Sequence, residues 1–377
     1  MKIPSISLIA AAALTMVTSA CSKAVSTPEI VSQTPVFSKG DYDSKFYRIP
    51  ALSVAGDGTI IALADKRIDN NADLPGRIDV VCRTSNDGGS TWTPYTDVAV
   101  HDDNGGYGDP ALVIDRNSGD AICVATHGQG LWQATGVDGD HARIVTMRSS
   151  DSGKSWSAPV DITDQIFSND STGVKAQGIT AFASSGRMLQ TKDGRIMFVL
   201  VVRQPTVDDY VPLYAYVVYS DDGGKSWSAV PTPANTDADE SKIAELPDGT
   251  LLMSIRNRHK GARKFSRSTD GGYTWSEAVI TETLPEPACN GDMIAATNPD
   301  GKPVLYHTVP ADPEERTNVT LSKSYDEGLT WQPVITLCPT GSCYSSITML
   351  PDGSMGCLTE ENAPDGGFNL IFSKIEL

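Results

Sequence analysis

Apolar residues occur along the chain in short runs that are separated by glycine- and aspartate-rich turns. Examples are Ile196–Val202, Leu213–Tyr219 and Leu251–Ile255, which are rich in valine, isoleucine, leucine and tyrosine. Such runs are typical of β-strands, whereas a helix would place apolar residues three or four positions apart over a longer stretch. We find no convincing amphipathic helix, so the pattern predicts an all-β protein.

A short pattern, Ser-x-Asp-x-Gly-x-(Ser/Thr)-Trp, occurs five times and sets the organisation of the chain. The five copies, called Asp boxes below, are Ser85–Trp92, Ser149–Trp156, Ser220–Trp227, Ser268–Trp275 and Ser324–Trp331. In such a box the aspartate can accept backbone N–H groups within a tight turn, and the glycine two residues later permits positive φ. We therefore interpret the box aspartates as structural rather than catalytic.

A second kind of turn lies between the boxes and divides the chain into six similar units. These turns are Asp57-Gly58, Ser118-Gly119-Asp120, Asp193-Gly194, Asp248-Gly249, Asp300-Gly301 and Asp352-Gly353. Repeated units of strand, turn, strand, strand, box and strand predict a six-bladed β-propeller. Since a propeller must close into a ring, we expect the segment near Val36 to complete the last blade beside Phe368–Ser373.

The first strand of each propeller blade lines the central channel, and its start opens onto the face where ligands bind. Counting back eight or nine residues from each turn reaches a set of polar residues: Arg48, Asp109, Ser184 or Ser185, Glu240, Asp292 and Tyr344. Polar residues of this kind are seldom buried in a hydrophobic core. A ring of them facing inwards therefore predicts a binding or catalytic site.

The net charge and the distribution of cysteine and histidine restrict which ligands this site can bind. The formal net charge is −17, which argues against nucleic acid as a partner. An anionic substrate would therefore need a local cluster of arginines. The chain has no paired CxxC motif and its five histidines are scattered, so we expect no metal site and no cofactor.

The N-terminus predicts export from the cytoplasm. Residues 1–21 have the order of a bacterial secretion signal, with a charged start, an apolar stretch and small residues before Cys21. Either the mature chain begins at Cys21 with a lipid on its sulfur, or the signal is simply cleaved. We assign residues 22–35 to a linker and 36–377 to the propeller. We expect a periplasmic or cell-surface protein whose membrane attachment depends on that lipid alone.

Six further cysteines follow Cys21. Cys82, Cys123 and Cys357 lie in apolar runs and are predicted to be buried thiols. Only Cys338 and Cys343 are close enough in sequence to suggest a local disulfide, which an oxidising compartment would allow.

The motif Tyr47-Arg48-Ile49-Pro50, together with the five Asp boxes, resembles the bacterial exo-α-sialidases, or neuraminidases, of glycoside hydrolase family 33. The resemblance runs from about Val36 to the C-terminus. It implies that sialylated glycoconjugates are the substrates and that Arg48, Arg256 and Arg316 hold the substrate carboxylate. Guanidinium groups suit a carboxylate because each offers paired donors and stays charged at any relevant pH.

The resemblance also implies a tyrosine nucleophile, which we assign to Tyr344, activated by Glu240. Sialic acid carries a carboxylate on its anomeric carbon, so a neutral phenol avoids the repulsion that a charged nucleophile would meet. Glu245 lies nearby in sequence and is the alternative base. We favour Glu240 because it falls at a channel position and lies sixteen residues before Arg256.

The general acid is assigned to Asp73, in Asn71-Ala72-Asp73-Leu74-Pro75, because this context resembles sialidases of gut bacteria. A loop aspartate there can protonate the leaving oxygen and later activate water. Asp69 and Asp79 remain alternatives. By the same resemblance Arg67, six residues before Asp73, would reach the O4 region of the sugar.

Two further residues complete the expected site. Asp109 either binds the N-acetyl nitrogen or is a turn aspartate before proline, and Glu360 is expected to hold Arg48 in place. The predicted activity is hydrolysis of terminal α-linked sialic acid with retention of configuration. The alternatives are a trans-sialidase or intramolecular trans-sialidase with the same residues, and a sialic-acid-binding propeller without catalysis.

Overall fold

The computed structural model describes residues 1, 27–137, 139–167, 178–298 and 300–377. Its described part contains twenty-five strands, a 3₁₀ turn at Asp41–Asp43 and a short helix at Thr163–Ile166. The strands are β1 Glu29–Phe37, β2 Phe46–Val54, β3 Ile60–Arg67, β4 Ile78–Ser85, β5 Thr96–Ala99, β6 Gly106–Ile114, β7 Ala121–Gly128, β8 Arg143–Ser149, β9 Val160–Asp161, β10 Thr180–Ala183, β11 Gly186–Arg187, β12 Leu189–Gln190, β13 Ile196–Arg203, β14 Leu213–Ser220, β15 Ser228–Ala229, β16 Ser241–Glu245, β17 Leu251–Ile255, β18 Gly261–Ser268, β19 Val279–Glu286, β20 Asp292–Thr297, β21 Pro303–Pro310, β22 Thr317–Ser324, β23 Gln332–Met349, β24 Met355–Asn362 and β25 Phe368–Glu376. Neither helical segment has the length or hydropathy needed to cross a bilayer.

Antiparallel pairing divides these strands into six groups, which we call blades 1 to 6. They are β2–β5, β6–β9, β10 with β12–β15, β16–β19, β20–β22 with the first part of β23, and the second part of β23 with β24, β25 and β1. The 18-residue strand β23 therefore serves two blades. The innermost strand of blade 3 is divided, and β11 between its two parts pairs in parallel with β6.

Most buried apolar residues lie between the blades. One cluster spans blades 1 and 2 and contains Leu63, Cys82, Leu112 and Cys123. Five further clusters join blades 2 and 3, 3 and 4, 4 and 5, 5 and 6, and 6 and 1. Each blade therefore packs on two neighbours, so the described strands form a closed ring and the predicted all-β propeller fold is confirmed.

Ring closure depends on the N-terminal strand. β1 pairs antiparallel with β25, with Phe37 opposite Leu370 and Gln33 opposite Ser373. The expected pairing of the segment near Val36 with the last blade is confirmed, but the linker boundary at residue 35 was wrong, because the strand already begins at Glu29. Its early start lengthens the seam between the two ends of the chain. The predicted signal and Cys21 lie outside the described residues, apart from Met1.

The five Asp boxes form one hydrogen-bonded turn each, at the end of the third strand of blades 1 to 5. In the first box the Asp87 carboxylate accepts the backbone N–H of Thr91 at 2.9 Å and its hydroxyl at 2.6 Å, while Ser85 Oγ accepts the N–H of Gly89. The other four boxes repeat these bonds. The bonds lower the pKa of Asp87 to about 2. The predicted turn geometry of the boxes is confirmed.

Candidate active site

The residues predicted to line the channel all lie on the innermost strand of a blade or next to it: Arg48 in β2, Asp109 in β6, Ser184 and Ser185 after β10, Glu240 before β16, Asp292 in β20 and Tyr344 in β23. Strands β2 and β6 are bulged here, and Ile49 (φ 59°) and Asp109 (φ 57°) each precede a proline. Positive φ is strained for such residues, and proline removes a ladder donor. Bulges of this kind re-aim side chains, here Arg48 and Asp109.

Tyr344 and Glu240 form a buried hydrogen-bonded pair between blades 6 and 4. The phenol donates to Glu240 Oε2 at 2.6 Å, and Arg256 Nη1 donates to the same oxygen at 2.5 Å and to the phenol oxygen at 3.1 Å. Burial and the charge of Glu240 raise the pKa of Tyr344 well above its usual value. The phenol is therefore neutral, and the Glu240 carboxylate is placed to receive its proton.

Arg48 is held rigidly by Glu360 from blade 6. Arg48 donates through Nε at 2.9 Å and through Nη2 at 3.0 Å, one bond to each carboxylate oxygen. Glu360 is fully buried and also accepts the backbone N–H groups of Ile49 at 2.7 Å and Tyr344 at 3.1 Å. One carboxylate thus fixes both the arginine and the backbone of the proposed nucleophile. The guanidinium lies over the rings of Tyr344 and Phe368, 5.2 and 5.1 Å from their centroids.

Arg316 completes a group of three arginines around the phenol. Its Nη2 donates to the carbonyl of Ala288 at 2.9 Å, and its Nη1 lies 3.9 Å from the sulfur of Cys343. The charge of Tyr344, were it ionised, would act on all three guanidinium groups, Arg48, Arg256 and Arg316. Three convergent cations on an otherwise acidic protein form an anion-binding site.

The proposed local disulfide is not present. Cys338 and Cys343 are both free, buried thiols, and the sulfur of Cys338 lies 3.4 Å from the hydroxyl of Thr340 in the same strand. The partner of Cys343 is Cys289 of the blade 4–5 connection, with which it shares a side-chain hydrogen bond. Spacing along the chain cannot reveal this contact. The predicted buried thiols at Cys82, Cys123 and Cys357 are confirmed.

Arg67 and Asp73 meet at the mouth of the channel. Arg67 is buried at the end of β3, while Asp73 is 78% exposed in the loop that follows, and Arg67 Nη2 lies 2.8 Å from Asp73 Oδ1. Arg67 also donates to the carbonyl of Asn71 at 2.7 Å, which ties the loop to the strand. An exposed carboxylate held by a buried arginine can contact a bound ligand and still exchange protons with water.

Asp65 is a site residue that sequence reasoning missed. It is buried two residues before Arg67, accepts Arg67 Nη2 at 3.1 Å and accepts the backbone N–H of Asp109 at 3.1 Å. Burial raises the pKa of Asp65 to about 7. Burial, together with the charges of Asp65, Asp73 and Glu240, raises the pKa of Asp109 well above its usual value. The signal was available, because residues two apart on a strand face the same side.

The alternative carboxylates have other partners. Asp69 forms a two-pronged pair with exposed Arg77, and Asp79 accepts the backbone N–H and ring Nδ1 of His101 at 2.9 and 2.7 Å. Glu245 lies at the far end of β16, where it accepts the backbone N–H of Lys192 at 2.6 Å. None of these carboxylates contacts Tyr344, Arg67 or the arginine group among the described residues.

The channel position Asp292 is structural. It is fully buried, and its Oδ2 accepts the Ser346 hydroxyl at 3.0 Å and the Ile347 N–H at 2.8 Å. Among the described residues, no cluster of three or more His, Cys, Asp or Glu side chains is arranged to hold a metal ion. The arrangement instead combines an anion clamp, a phenol with an adjacent base, and a loop carboxylate that can act as an acid.

Comparison with known proteins shows what this chain is similar to. Residues 70–357 match the family model of the BNR repeat-like domain. The chain is 31% identical over 356 residues to a sialidase of Bacteroides fragilis, covering 88% of this chain and 63% of that protein. It is 32% identical over 331 residues to a sialidase of Micromonospora viridifaciens, covering 83% of this chain and 50% of that protein. The solved Hadza microbial sialidase Hz136 superposes with a TM-score of 0.79 at 28% identity, over 91% of this chain and 68% of that structure. The chain thus spans about half to two thirds of the length of these two curated relatives.

Proposed function

Because the chain belongs to the sialidase family of BNR-repeat proteins, we propose that it is an exo-α-sialidase. It hydrolyses terminal α-linked sialic acid from glycoproteins, glycolipids and oligosaccharides. The observation that carries this proposal is the 2.6 Å hydrogen bond from the Tyr344 phenol to Glu240, enclosed by three arginines. A protein that only binds sialic acid needs the arginines but not the phenol and its base.

In the first chemical step Arg48, Arg256 and Arg316 hold the substrate carboxylate, which places the anomeric carbon near Tyr344. Glu240 removes the phenol proton as the oxygen attacks, and Asp73 donates a proton to the departing glycosidic oxygen. In the second step Asp73 removes a proton from water, which attacks the anomeric carbon, and Glu240 returns its proton to Tyr344. Two displacements at the same carbon retain its configuration.

The choice of a phenol follows from the charges of the site. The anomeric carbon of sialic acid bears a carboxylate, so a carboxylate nucleophile would approach it against like charge. Burial keeps the Tyr344 phenol neutral until Glu240 accepts its proton. Arg256 donates to both the Glu240 carboxylate and the Tyr344 phenol oxygen. It therefore stabilises the negative charge on whichever of the two oxygens lacks the shared proton.

A covalent trapping experiment tests this function. A fluorinated sialosyl fluoride slows turnover of the intermediate more than its formation, so peptide mass mapping should find the sugar on the peptide that contains Tyr344. Tyr344→Phe should abolish labelling with little change in the thermal transition, because Glu240 keeps its bond to Arg256. Tyr47→Phe is the matched control, since Tyr47 is buried and donates to the carbonyl of Asp41 instead.

The outcomes of the trapping experiment are distinct. A label on Glu240 or Asp73 would replace the tyrosyl mechanism with a carboxylate one, and saturable sialoside binding without turnover would leave only a binding propeller. Product analysis by mass spectrometry separates hydrolysis, which gives free sialic acid, from transfer to an added sugar or to the enzyme-bound sialic acid itself.

We also propose that the protein is exported and anchored through Cys21. Metabolic labelling with a tagged fatty acid should mark the wild-type protein and leave Cys21→Ser unlabelled. An unlabelled, cleaved wild-type chain would mean plain secretion.

A further inference from the structure

A chain of buried hydrogen bonds approaches Glu240 from the side opposite Tyr344. Lys242 Nζ donates to Asn290 Oδ1 at 2.8 Å, Asn290 Nδ2 donates to Ser185 Oγ at 3.0 Å, and Ser185 Oγ donates to Glu240 Oε1 at 3.3 Å. All four side chains belong to residues no more than 2% exposed. They come from three consecutive blades, so this hydrogen-bond chain exists only when those blades pack together.

The donors of this hydrogen-bond chain all have the same direction. Every donor points towards Glu240, and it begins at an ammonium group, so each bond polarises the next one towards the carboxylate. The two oxygens of Glu240 are thereby separated in role: Oε2 faces Tyr344 and Arg256, whereas Oε1 receives the chain. Neither the anion clamp nor the proposed acid uses these residues.

Both positively and negatively charged groups surround Lys242 and Glu240, the two ends of the hydrogen-bond chain. Lys242 is faced by Glu240 and Asp292, which favour its charged form, and by Arg263 and Arg187, which oppose it. Burial outweighs these charges and lowers the pKa of Lys242 to about 8, so the ammonium form prevails at neutral pH. The titratable and charged groups that face Glu240 are Arg256, Tyr344, Lys242, Asp239, Asp109 and Arg263.

We infer that Lys242, acting through Asn290 and Ser185, is a positioning residue that keeps the Glu240 carboxylate ionised and limits its basicity. The inference rests on the proposed function, in which Glu240 accepts the Tyr344 proton and later returns it. A positive charge at the end of the chain favours the ionised carboxylate. It therefore helps Glu240 to start in the form that can accept a proton and to release that proton in the second step.

Removal of the charge should be visible in the pH profile. In Lys242→Met, which conserves shape, the acid limb of kcat/KM should move to higher pH by about one unit, because the carboxylate then holds its proton more strongly. At a pH well below the limb, and with each profile normalised to its plateau, this shift corresponds to a kcat/KM roughly tenfold lower than that of wild type. Ser185→Ala, which breaks the chain and leaves the charge in place, should move the limb in the same direction by a smaller amount.

Two controls separate this role from a structural one. Ser184→Ala removes a neighbouring buried hydroxyl that contacts Lys242 Nζ at 3.3 Å but lies off the path to Glu240, and it should leave the limb in place. The double variant Lys242→Met/Ser185→Ala should shift the limb by less than the sum of the two single shifts, since both changes interrupt one hydrogen-bond chain. Thermal transitions of all variants show whether each is folded.

The outcomes distinguish the inference from the function on which it rests. If Tyr344→Phe and Glu240→Gln are inactive while Ser185→Ala and Lys242→Met keep the wild-type limb, the inference is wrong and the function stands. If Tyr344→Phe retains full activity, the proposed function fails first. Should Lys242→Met not fold, an unshifted limb in Ser185→Ala is sufficient to overturn the inference.

Discussion

Glu360→Gln is the substitution that should most clearly couple stability to substrate binding. The carboxylate accepts four hydrogen bonds, two on each oxygen, from Arg48 Nε, Arg48 Nη2 and the backbone N–H groups of Ile49 and Tyr344. An amide keeps one acceptor oxygen and turns an NH₂ group towards two donors. Two buried donors then lose their acceptor and Arg48 loses its counter-charge.

The magnitude follows from the burial of the pair. Glu360 is fully buried and the Arg48 side chain is 12% exposed, and breaking a buried ion pair by removing one partner costs about 3–5 kcal/mol. At about 2 °C per kcal/mol for a large domain, Tm should fall by roughly 6–10 °C. Because Arg48 also loses its orientation towards the substrate carboxylate, KM for an aryl α-sialoside should rise by about tenfold.

The assay pairs thermal and urea unfolding with steady-state kinetics on a fluorogenic sialoside. Glu361→Gln is the matched control, because this neighbour on the opposite face of β24 is half-buried and accepts a side-chain bond from Thr359 at 3.0 Å. The control should stay within about 1 kcal/mol of wild type. A Glu360→Gln protein with wild-type Tm and KM would refute the view that this carboxylate holds the clamp.

Three further predictions follow from named contacts. Asp73→Ala should slow natural sialosides far more than activated aryl sialosides, because only the former need a proton on the leaving oxygen; equal losses on both would remove the acid role. Arg316→Lys should fold normally yet raise KM and lower kcat, since a point charge replaces a fork, and wild-type kinetics would exclude Arg316 from the clamp. The pKa of Asp270 is lowered to about 2, so its bonds stabilise the fold above pH 4 and are lost between about pH 4 and 2. Asp270→Asn should therefore show a shallower loss of Tm over that range, with unchanged activity at pH 6, and an identical acid profile would contradict the box interpretation.

The propeller fold could be predicted because the same pattern of turns and Asp boxes occurs in one blade after another. Each Asp box satisfies its own turn through local hydrogen bonds, so its structure depends little on the rest of the chain. Eight or nine residues separate the channel position from the turn in each blade, which is why Arg48, Glu240 and Tyr344 were found from spacing and resemblance. The boundary at the first strand was missed because β1 carries no box and no turn signal of its own.

Contacts between blades could not be predicted from spacing. Cys289 and Cys343 lie in different blades and 54 positions apart, so sequence proximity pointed to Cys338 instead. The chain from Lys242 through Asn290 and Ser185 likewise joins three blades. Such pairs are defined only by the way the blades pack together, and a single sequence contains no periodicity that would report them.

The position of these contacts has a consequence for how the protein loses activity. Arg48 in blade 1 is held by Glu360 in blade 6, Tyr344 in blade 6 bonds to Glu240 and Arg256 in blade 4, and the backbone of blade 2 is bonded to Asp65 in blade 1. Each bond crosses from one blade to another, whereas the strand ladders and the box turns are largely internal to a blade. A small opening at the seam between β1 and β25 would therefore separate Arg48 in blade 1 from Glu360 in blade 6 while most strand pairing survives. Loss of activity should thus precede loss of β-structure on heating, and coincidence of the two transitions, followed by enzyme assay and far-ultraviolet circular dichroism, would show instead that the ring opens and the blades unfold as one unit.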